Sequence, residues 1–520
     1  MLYGIKPRDY QANIFETCKN NNCLVVLPTG MGKTLIALML AIERQKQFPS
    51  SKVLFLAPTR PLANQHLNYF KKHLPELYGQ FELFTGKVEP EKRRRLWQDA
   101  DVIFSTPQTV ANDLKSGSYN LGDVSLLIED ECHRCLKNYD YVYMADEYKK
   151  TAKNSRILGL TASPGSDASV IHQICKNLGI EKVEIRTRMS NDVKEYVQEL
   201  KAELVKVELP EEFLKIRNLL NEIFDKRVQE LKNRKLLFAP VTKKNLLDLQ
   251  HRIMKAIGSG NKHFNLLKGA STCAQAIKLQ HALEMIETQG SASLHEYMKD
   301  LYEQAAKSKS VAAKQLVKDD KLNQAYILCS ELTAGNIEHP KLKKVREIVE
   351  EEINKNPKAK ILVFAQYRNT VARICKKLNS IEGINARVFI GQAVKDGQGL
   401  SQKEQQELIS EFSLNKINVL VCTSIGEEGL DLPEVSCVIF YEPVPSAIRR
   451  IQRAGRTARL MPGKLIILMT VKTRDESYHY ASLSKERKMH GILEGINKGL
   501  KEKKRQKSLK DFAEERQEDL

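Results

Sequence analysis

The sequence has no apolar run long enough to cross a membrane, and its opening residues, MLYGIKPRDYQ, lack the apolar core of a signal peptide. It also has few cysteines: ten are scattered over 520 residues without the regular spacing of a disulfide framework. These absences argue against a membrane-embedded protein and against a small secreted one held together by disulfides. We therefore expect a cytoplasmic protein whose thiols stay reduced.

Acidic residues are in the minority. The chain carries 83 Lys and Arg against 64 Asp and Glu, a formal net charge of +19, while its 42% hydrophobic and 28% charged residues are ordinary for a folded protein. A basic excess of this size is typical of proteins that bind polyanions, either nucleic acid or an anionic membrane face. Solubility alone is the competing explanation until the charge is located along the chain.

Hydrophobic patterning predicts an α/β fold in two regions separated by a mostly helical one. Short apolar runs alternate with helical periodicity in both outer regions, as expected for parallel sheets with helices on both faces. Helical spacing dominates between about residues 205 and 339, beginning with a long helix predicted over 210–238. The predicted strands cover residues 22–28, 52–58, 101–106, 125–130, 156–162, 360–366, 386–391, 418–424, 437–443 and 464–470. A chain of 520 residues is long enough for two or three domains.

The stretch LPTGMGKT, residues 27–34, follows a predicted strand and opens a predicted helix, which is the setting of a phosphate-binding loop. Gly30 and Gly32 let the backbone N–H groups turn toward phosphate oxygens. Lys33 would reach the β and γ phosphates of a nucleotide, and the Thr34 hydroxyl would bind Mg²⁺. Leu27 stands where the general pattern has its first glycine. The expected loop comprises Pro28, Thr29, Gly30, Met31, Gly32, Lys33 and Thr34.

The stretch LLIEDECHRC, residues 126–135, allows three interpretations: a nucleotide-hydrolysis site, a metal or redox site, and a buried strand with a polar end. Asp130 and Glu131 end a predicted buried strand, and that edge of a parallel sheet faces the ligand crevice. Asp130 can hold Mg²⁺ through water, while Glu131 can orient and deprotonate the attacking water. Cys132 and Cys135 lack the nearby second Cys/His pair of a zinc site, and a redox pair would open a helix after its own strand. The first interpretation is favoured.

Seven motifs in a fixed order resemble those of superfamily-two DExH helicases. They read PTGMGKT, APTRPLANQ, STPQTV, DECH, LTASP, TSIGEEGLDLP and QRAGRTAR. Within that superfamily the chain is similar, from Ile5 to about Met489, to the archaeal Hef helicases, relatives of the eukaryotic FANCM translocases. The resemblance implies an archaeal-type cell and two RecA-like domains with a thumb-like insert. The implied domains are a RecA-like ATP-binding domain at 1–200, a helical insert at 201–338, a second RecA-like domain at 339–492 and a charged tail at 493–520.

The resemblance also implies an ATP site between the two RecA-like domains. Gln11 matches the family's adenine-reading glutamine, and Gln452 would reach the nucleotide or the DExH box. Arg456 and Arg459 match arginine fingers, which stabilise the transition state when the domains close. Two further residues of the second domain would lie beside the ribose and the cleft: Gly429 and Asp431.

A nucleic-acid path and a set of coupling residues follow from the same resemblance. Small hydroxyl and amide side chains suit phosphate contacts, which fix the register of a strand without reading its sequence. The implied strand contacts are Thr59, Arg60, Thr85, Gly86, Thr106, Gln108, Gln366 and Thr423. The residues implied to couple this path to the ATP site are His133, Thr161 and Ser163.

About half of the net charge lies in the helical region. Residues 231–280 hold ten basic side chains and one acidic, Asp248, which gives +9 of the +19. This concentration is what a binding face requires, and in Hef-like proteins the insert favours branched DNA. We therefore expect the insert to grip duplex DNA through phosphates; solvated helix faces are the alternative. The first candidates are Lys232, Arg234, Lys235, Lys243 and Lys244.

The function expected from these observations is that of an ATP-dependent DNA helicase or translocase, using ATP and Mg²⁺, that acts on branched DNA in replication-fork repair. One alternative is an RNA-directed DExH enzyme, because DECH also occurs in double-stranded RNA sensors of this superfamily. Another is a non-catalytic scaffold that binds junctions.

Two short stretches near the carboxyl end suggest partners. The stretch ERK, residues 486–488, resembles a nuclease signature, but Ile492 stands where that signature needs Asp. No nuclease activity is therefore expected in this chain, and a separate XPF-type nuclease is a candidate partner. The stretch QKSLKDFA, residues 506–513, resembles a sliding-clamp-binding box. Its clamp-binding residues would be Gln506, Leu509 and Phe512.

Overall fold

The structure is a computed structural model that describes residues 4–75, 78–261, 263–393, 399–426, 432–458 and 461–518, with side chains described up to residue 500. It contains two parallel β-sheets with a helical bundle between them in sequence, which confirms the predicted fold class. In these residues no helix is long and apolar enough to cross a membrane.

The first domain is built on a seven-stranded parallel sheet with helices on both faces. Its strands are β1 (Cys23–Val26), β2 (Lys52–Leu56), β3 (Phe81–Phe84), β4 (Val102–Ser105), β5 (Val124–Asp130), β6 (Ile157–Thr161) and β7 (Lys182–Ile185). Its helices are α1 (Asp9–Asn20), α2 (Lys33–Gln47), α3 (Arg60–His73), α4 (Pro90–Asp99), α5 (Pro107–Lys115), α6 (Asp140–Thr151) and α7 (Ala168–Leu178). The strand order is β3-β4-β2-β5-β6-β1-β7, so the continuous apolar runs β1, β2, β4, β5 and β6 occupy the interior of the sheet.

The second domain is built on a six-stranded parallel sheet. Its strands are β8 (Leu200–Val207), β9 (Ile361–Phe364), β10 (Ala386–Phe389), β11 (Val419–Cys422), β12 (Cys437–Phe440) and β13 (Gly463–Thr470). Its helices include α14 (Pro340–Lys355), α15 (Arg368–Leu378), α16 (Gln402–Ser413) and α17 (Ala447–Ala454). The strand order is β10-β11-β9-β12-β13-β8. The predicted start of the insert at residue 201 therefore needs correction, because β8 pairs along its whole length with β13.

In its described residues the insert is a bundle of six helices around a core of its own. The helices are α8 (Glu211–Asn233), α9 (Lys243–Gly258), α10 (Phe264–Glu284), α11 (Ser291–Ala306), α12 (Val311–Leu316) and α13 (Asp320–Ala334). The core runs from Phe213 in α8 to Leu332 in α13. A π-helical turn, Met285–Gln289, joins α10 to α11. Helix α8 ends five residues before the predicted end at 238, and a loop follows it.

Buried polar contacts fasten the insert to the second domain. The Thr370 hydroxyl donates to Gln289 Oε1 at 2.7 Å, and Gln289 Nε2 donates to Glu442 Oε2 at 3.5 Å. Arg474 forms an ion pair of 2.8 Å with Glu287, whose side chain is only 7% exposed. Because breaking such contacts leaves buried polar groups without partners, the insert is expected to move together with the second domain.

Glu442 should make stability fall as pH rises from about 4.5 to about 7. Burial raises the pKa of its carboxyl from 4.5 to about 7, and the charges of Lys341 and Arg453 oppose that rise. Between these values the unfolded state has released its proton and the folded state has not. Raising the pH therefore lowers the free energy of unfolding, by about 3 kcal/mol over the window.

A Glu442→Gln variant lacks the titrating group, so its stability relative to the unsubstituted protein should improve steadily across that window. Urea unfolding midpoints of both proteins at pH 5, 6, 7 and 8 measure the effect. Curves that stay parallel over this range would contradict the raised pKa.

The last helix, α18 (Arg474–Glu518), connects the second domain to the first. It begins after β13, and farther along Met489, Leu493 and Ile496 join a core cluster of the first domain. The predicted domain boundary between residues 492 and 493 therefore falls inside a helix that packs on the first sheet. The side chains of the three clamp-box residues lie outside the described part of the structure: Gln506, Leu509 and Phe512.

Candidate nucleotide and nucleic-acid site

The predicted site residues follow the carboxyl ends of parallel strands in both sheets. The phosphate-loop sequence follows β1, Asp130 ends β5 and Thr161 ends β6, so these groups share one half of the first sheet. The predicted strand contacts follow β2, β3 and β4 in the other half, and β9 and β11 in the second sheet. In open α/β sheets, ligands bind along this edge.

The loop before α2 has the backbone shape of a phosphate cradle. Gly30 and Gly32 adopt φ angles of 83° and 77°, which favour glycine. A Cβ on Gly32 would lie 2.2 Å from Gln11 Nε2. Gln11 donates to the Met31 carbonyl at 3.1 Å, so it braces the loop, and Lys33 Nζ donates to the Leu27 carbonyl at 2.9 Å. The adenine-reading role of Gln11 stays a prediction.

Thr34 and Asp130 lie on either side of one imidazole, that of His66. His66 Nε2 lies 2.9 Å from Asp130 Oδ2, and His66 Nδ1 lies 3.4 Å from Thr34 Oγ1. Burial alone would raise the pKa of Asp130, but the hydrogen bond from His66 and the charge of Lys33 oppose that rise and lower the pKa. One ionised carboxylate and one hydroxyl fit Mg²⁺, which takes few protein ligands and keeps phosphate and water oxygens.

Glu131 sits in an unusual backbone conformation directly after β5. Its φ of 50° lies in the left-handed region, which costs a non-glycine residue free energy and is frequent at functional sites. Its carboxylate Oε2 lies 3.2 Å from His133 Nδ1. This conformation could not be predicted from the sequence, because motif spacing carries no backbone angle.

The three predicted coupling residues lie in one chain of contacts. His133 Nδ1 is 3.2 Å from Thr161 Oγ1, which donates to the Ser163 carbonyl at 3.1 Å. The Ser163 hydroxyl in turn lies 2.9 Å from the sulfur of Met489 in α18. The three residues were predicted from the sequence as one coupling set, but the contact with α18 was not predicted.

The two cysteines of LLIEDECHRC are buried, and neither forms a disulfide. Burial raises the pKa of both thiols. Cys132 Sγ would meet a Cβ on Gly159 of β6 at 3.1 Å, so a larger side chain at residue 132 would press on the neighbouring strand. These are features of core residues, as expected.

The arginine-rich helix α17 of the second domain lies against the phosphate loop of the first. A Cβ on Gly455 would lie 2.8 Å from Thr29 Cβ, closer than side chains approach. Gln452 and Arg456 are both buried, with 4% and 6% exposure. A cavity of about 390 Å³ beside this contact is lined by residues of both domains. Three other residues predicted for the ATP site lie outside the described residues: Gly429, Asp431 and Arg459.

The predicted strand contacts occupy helix starts and turns. Thr59 and Thr106 are the N-caps of α3 and α5, with Arg60 and Gln108 in the first turns that follow. The Thr85 carbonyl accepts from Arg93, a buried side chain. The remaining predicted contacts lie in exposed or half-buried turns: Gly86, Gln366 and Thr423.

The predicted cationic face of the insert is only partly available to a ligand. Three of the five candidate side chains are exposed without a bond to an acidic neighbour in the described structure: Lys232, Lys235 and Lys244. Lys243 is instead held by Glu284 at 2.7 Å, and Arg234 donates to Asn265 at 3.0 Å. Two aromatic side chains lie in the same basic segment and are 83% and 73% exposed: Phe238 and Phe264.

Three family models match consecutive parts of the chain. The DEAD/DEAH box helicase model matches residues 8–171, and the helicase conserved C-terminal domain matches residues 341–461. Between them, residues 212–337 match a model described as "Putative ATP-dependent RNA helicase, helical bundle". The two sheets, the cleft and these matches define the class: the chain belongs to the superfamily-two helicases.

A solved structure is similar over nearly the whole chain. It is the helicase domain of Pyrococcus furiosus Hef, with 44% identity and a TM-score of 0.70. The alignment covers 92% of this chain and 98% of that one. The chain belongs to the Hef helicase family, which confirms the resemblance drawn from its motifs.

Curated relatives carry both DNA and RNA helicase names. A Methanocaldococcus jannaschii protein named "Putative ATP-dependent RNA helicase MJ1505" is 40% identical, with 95% of this chain and 62% of that protein aligned. The ATP-dependent DNA helicase fml1 of Schizosaccharomyces pombe is 30% identical, over 96% of this chain and 61% of its own. The ATP-dependent DNA helicase mph1 of Neurospora crassa is 31% identical, over 94% and 43%. The chain thus spans less than two thirds of each of these relatives.

Proposed function

We propose that the chain is an ATP-dependent DNA helicase or translocase that acts on branched DNA, such as forks and junctions, in replication-fork repair. The observation that carries this proposal is the exposed basic surface on an insert that is fastened to one RecA-like domain. A duplex arm held on the insert would travel with the second domain while the first domain holds the single strand. The DNA helicase names of two relatives support the choice of substrate.

For ATP hydrolysis we propose that Lys33 turns from the Leu27 carbonyl to the phosphates, which the loop N–H groups hold. Thr34 and Asp130 would hold Mg²⁺, whose charge offsets that of the phosphates. Glu131 takes the proton of the attacking water. Hydrolysis requires closure of the cleft, because the remaining positive charge comes from the second domain. The proposed arginine fingers there are Arg456 and Arg459, and Gln452 would reach the nucleotide or the DExH box. Gly429 and Asp431 would lie beside the ribose.

The test is the rate of ATP hydrolysis over a panel of nucleic acids at one salt concentration. The panel contains forked DNA, a four-way junction, single-stranded DNA, linear duplex DNA and duplex RNA. We expect forks and junctions to stimulate hydrolysis most. Equal stimulation by linear and forked duplex would contradict a preference for branched DNA.

Duplex RNA is the second candidate substrate, because the insert model and one relative carry RNA helicase names. Stimulation by duplex RNA above that by every DNA in the same panel would favour it. A sliding clamp and a separate XPF-type nuclease stay predictions.

Neutralising the exposed insert cations should weaken fork binding selectively. Log affinity falls as log salt rises, and each phosphate contact that is lost should reduce the steepness of this fall by about one unit of slope. We expect weaker binding to forks and nearly unchanged binding to single-stranded DNA, both measured by fluorescence anisotropy at several salt concentrations. The variant carries glutamine in place of Lys232, Lys235 and Lys244.

A matched control removes the same charge from the second domain. It carries glutamine at three exposed lysines on α14 and the turn after it: Lys343, Lys355 and Lys358. Equal losses of fork affinity in both triple variants would mean that net charge alone, and not the insert surface, governs binding.

A further inference from the structure

We propose that His66 is a positioning residue, which orients Thr34 and Asp130 for Mg²⁺ and ties their geometry to the nucleic-acid strand held at the start of α3. His66 directly follows the motif APTRPLANQ and lies outside it. The proposal has two halves. The metal-orienting half, in which His66 orients Thr34 and Asp130, concerns nucleotide binding alone. The coupling half, in which α3 links His66 to a bound strand, rests on the function proposed above.

The imidazole of His66 is held by two polar contacts and one stacked ring. Its Nε2 lies 2.9 Å from Asp130 Oδ2 and its Nδ1 3.4 Å from Thr34 Oγ1. The ring stacks on Phe55 of β2, with centroids 4.3 Å apart and an interplanar angle of 29°. Only 7% of the residue is exposed. His66 therefore connects four elements at one point: α2, β2, β5 and its own helix α3.

The pattern of donors and acceptors favours metal binding. An ionised Asp130 can only accept, so Nε2 of His66 carries the proton that is shared with it. In the neutral imidazole with its proton on Nε2, Nδ1 is an acceptor, and the Thr34 hydroxyl donates its hydrogen to it. That arrangement turns the hydroxyl hydrogen toward His66 and leaves oxygen lone pairs free for a cation. Such outer partners commonly orient metal ligands.

Helix α3 connects this point to the strand path. It begins at Arg60, with Thr59 as its N-cap, and both are predicted strand contacts. His66 lies six residues farther along the same helix, about 9 Å at 1.5 Å per residue. Because a helix is stiff over this length, a displacement of its first turn also displaces the imidazole. Strand binding would thereby bias the geometry of both metal ligands.

Three substitutions test the proposal. His66→Ala removes both contacts, His66→Asn keeps an acceptor near the place of Nδ1, and His66→Gln keeps a donor near that of Nε2. The matched control is His73→Ala, a second buried histidine on α3, which packs on Tyr69 with ring centroids 4.6 Å apart. The readouts are the affinity for a fluorescent ATP analogue in Mg²⁺ and in EDTA, single-strand affinity, and the ratio of DNA-stimulated to basal hydrolysis.

For His66→Ala we expect unchanged analogue affinity in EDTA, a Mg²⁺ requirement raised about tenfold or more, and a stimulation ratio close to one with strand affinity retained. His66→Asn and His66→Gln should each recover part of the loss, and His73→Ala should resemble the unsubstituted protein. An unchanged Mg²⁺ requirement in His66→Ala would overturn the proposal, and so would an equal loss in His73→Ala. If no nucleic acid stimulates the unsubstituted protein, the proposed function and the coupling half fail together, whereas the Mg²⁺ readout still decides the metal-orienting half.

Discussion

Glu131→Gln is expected to lower the rate of ATP hydrolysis by about 10²–10⁴-fold and to leave ATP binding intact. The amide keeps the size and shape of the carboxylate but cannot take a proton from water. Glu131 directly follows Asp130 at the end of β5, in the left-handed conformation described above. Steady-state hydrolysis and binding of a fluorescent ATP analogue measure the two effects separately.

The neighbouring carboxylate provides a matched control. Glu129 lies two residues earlier in β5, is fully buried, and has a pKa raised well above its usual range by burial. Glu129→Gln should therefore keep hydrolysis near that of the unsubstituted protein. A Glu131→Gln protein that hydrolyses ATP at the normal rate would contradict the proposed role of Glu131. A variant that functions normally without hydrolysing ATP would support the non-catalytic scaffold considered from the sequence.

Lys341→Met is expected to cost the second domain about 3–5 kcal/mol of folding free energy. Lys341 Nζ lies 2.6 Å from Asp475 Oδ2, and the two side chains are 0% and 1% exposed. The ammonium also lies 5.1 Å from the centre of the Tyr441 ring. Replacing the lysine leaves the Asp475 carboxylate buried without its countercharge. Thermal unfolding followed by circular dichroism should show a transition at lower temperature.

An exposed pair nearby supplies the comparison. Lys344 forms an ion pair of 3.1 Å with Glu347, and both side chains are more than 40% exposed. Lys344→Met should change stability by less than about 1 kcal/mol. Similar changes in unfolding temperature for Lys341→Met and Lys344→Met would show that the buried ion pair stabilises the fold no more than the exposed one.

Burial explains which strands the sequence predicted, with the exception of β10, an edge strand that was also predicted. All five runs predicted in the first region correspond to interior strands of the first sheet, and those in the last region correspond to β9–β13. The three missed strands, β3, β7 and β8, all lie at sheet edges. An edge strand is covered less completely, so its residues need not form the continuous apolar run on which the prediction depended. Strand β8, for example, has exposed residues at Lys201, Ala202 and Glu203.

The sequence allowed the residues of the candidate site to be predicted, but not the contacts between them. Motif order selected Thr34, Asp130 and Glu131, yet His66 is separated from Thr34 by 32 residues and from Asp130 by 64. Such neighbours are set by the packing of α3 on the sheet, which no local pattern encodes. In the insert, likewise, the count of charges located the basic segment. It could not show that Lys243 is already bonded to Glu284.

Helix α18 restricts how the two sheet domains can move relative to each other. The polypeptide passes from the first sheet to the second just before β8, and α18 returns to the first sheet through Met489, Leu493 and Ile496. Two domains joined by two chain crossings have fewer relative motions available to them than two domains joined by one linker. Opening and closing of the cleft should therefore approximate a rotation about the line through both crossings. The insert, fastened to the second domain, would act as a lever arm that enlarges this rotation at its far end.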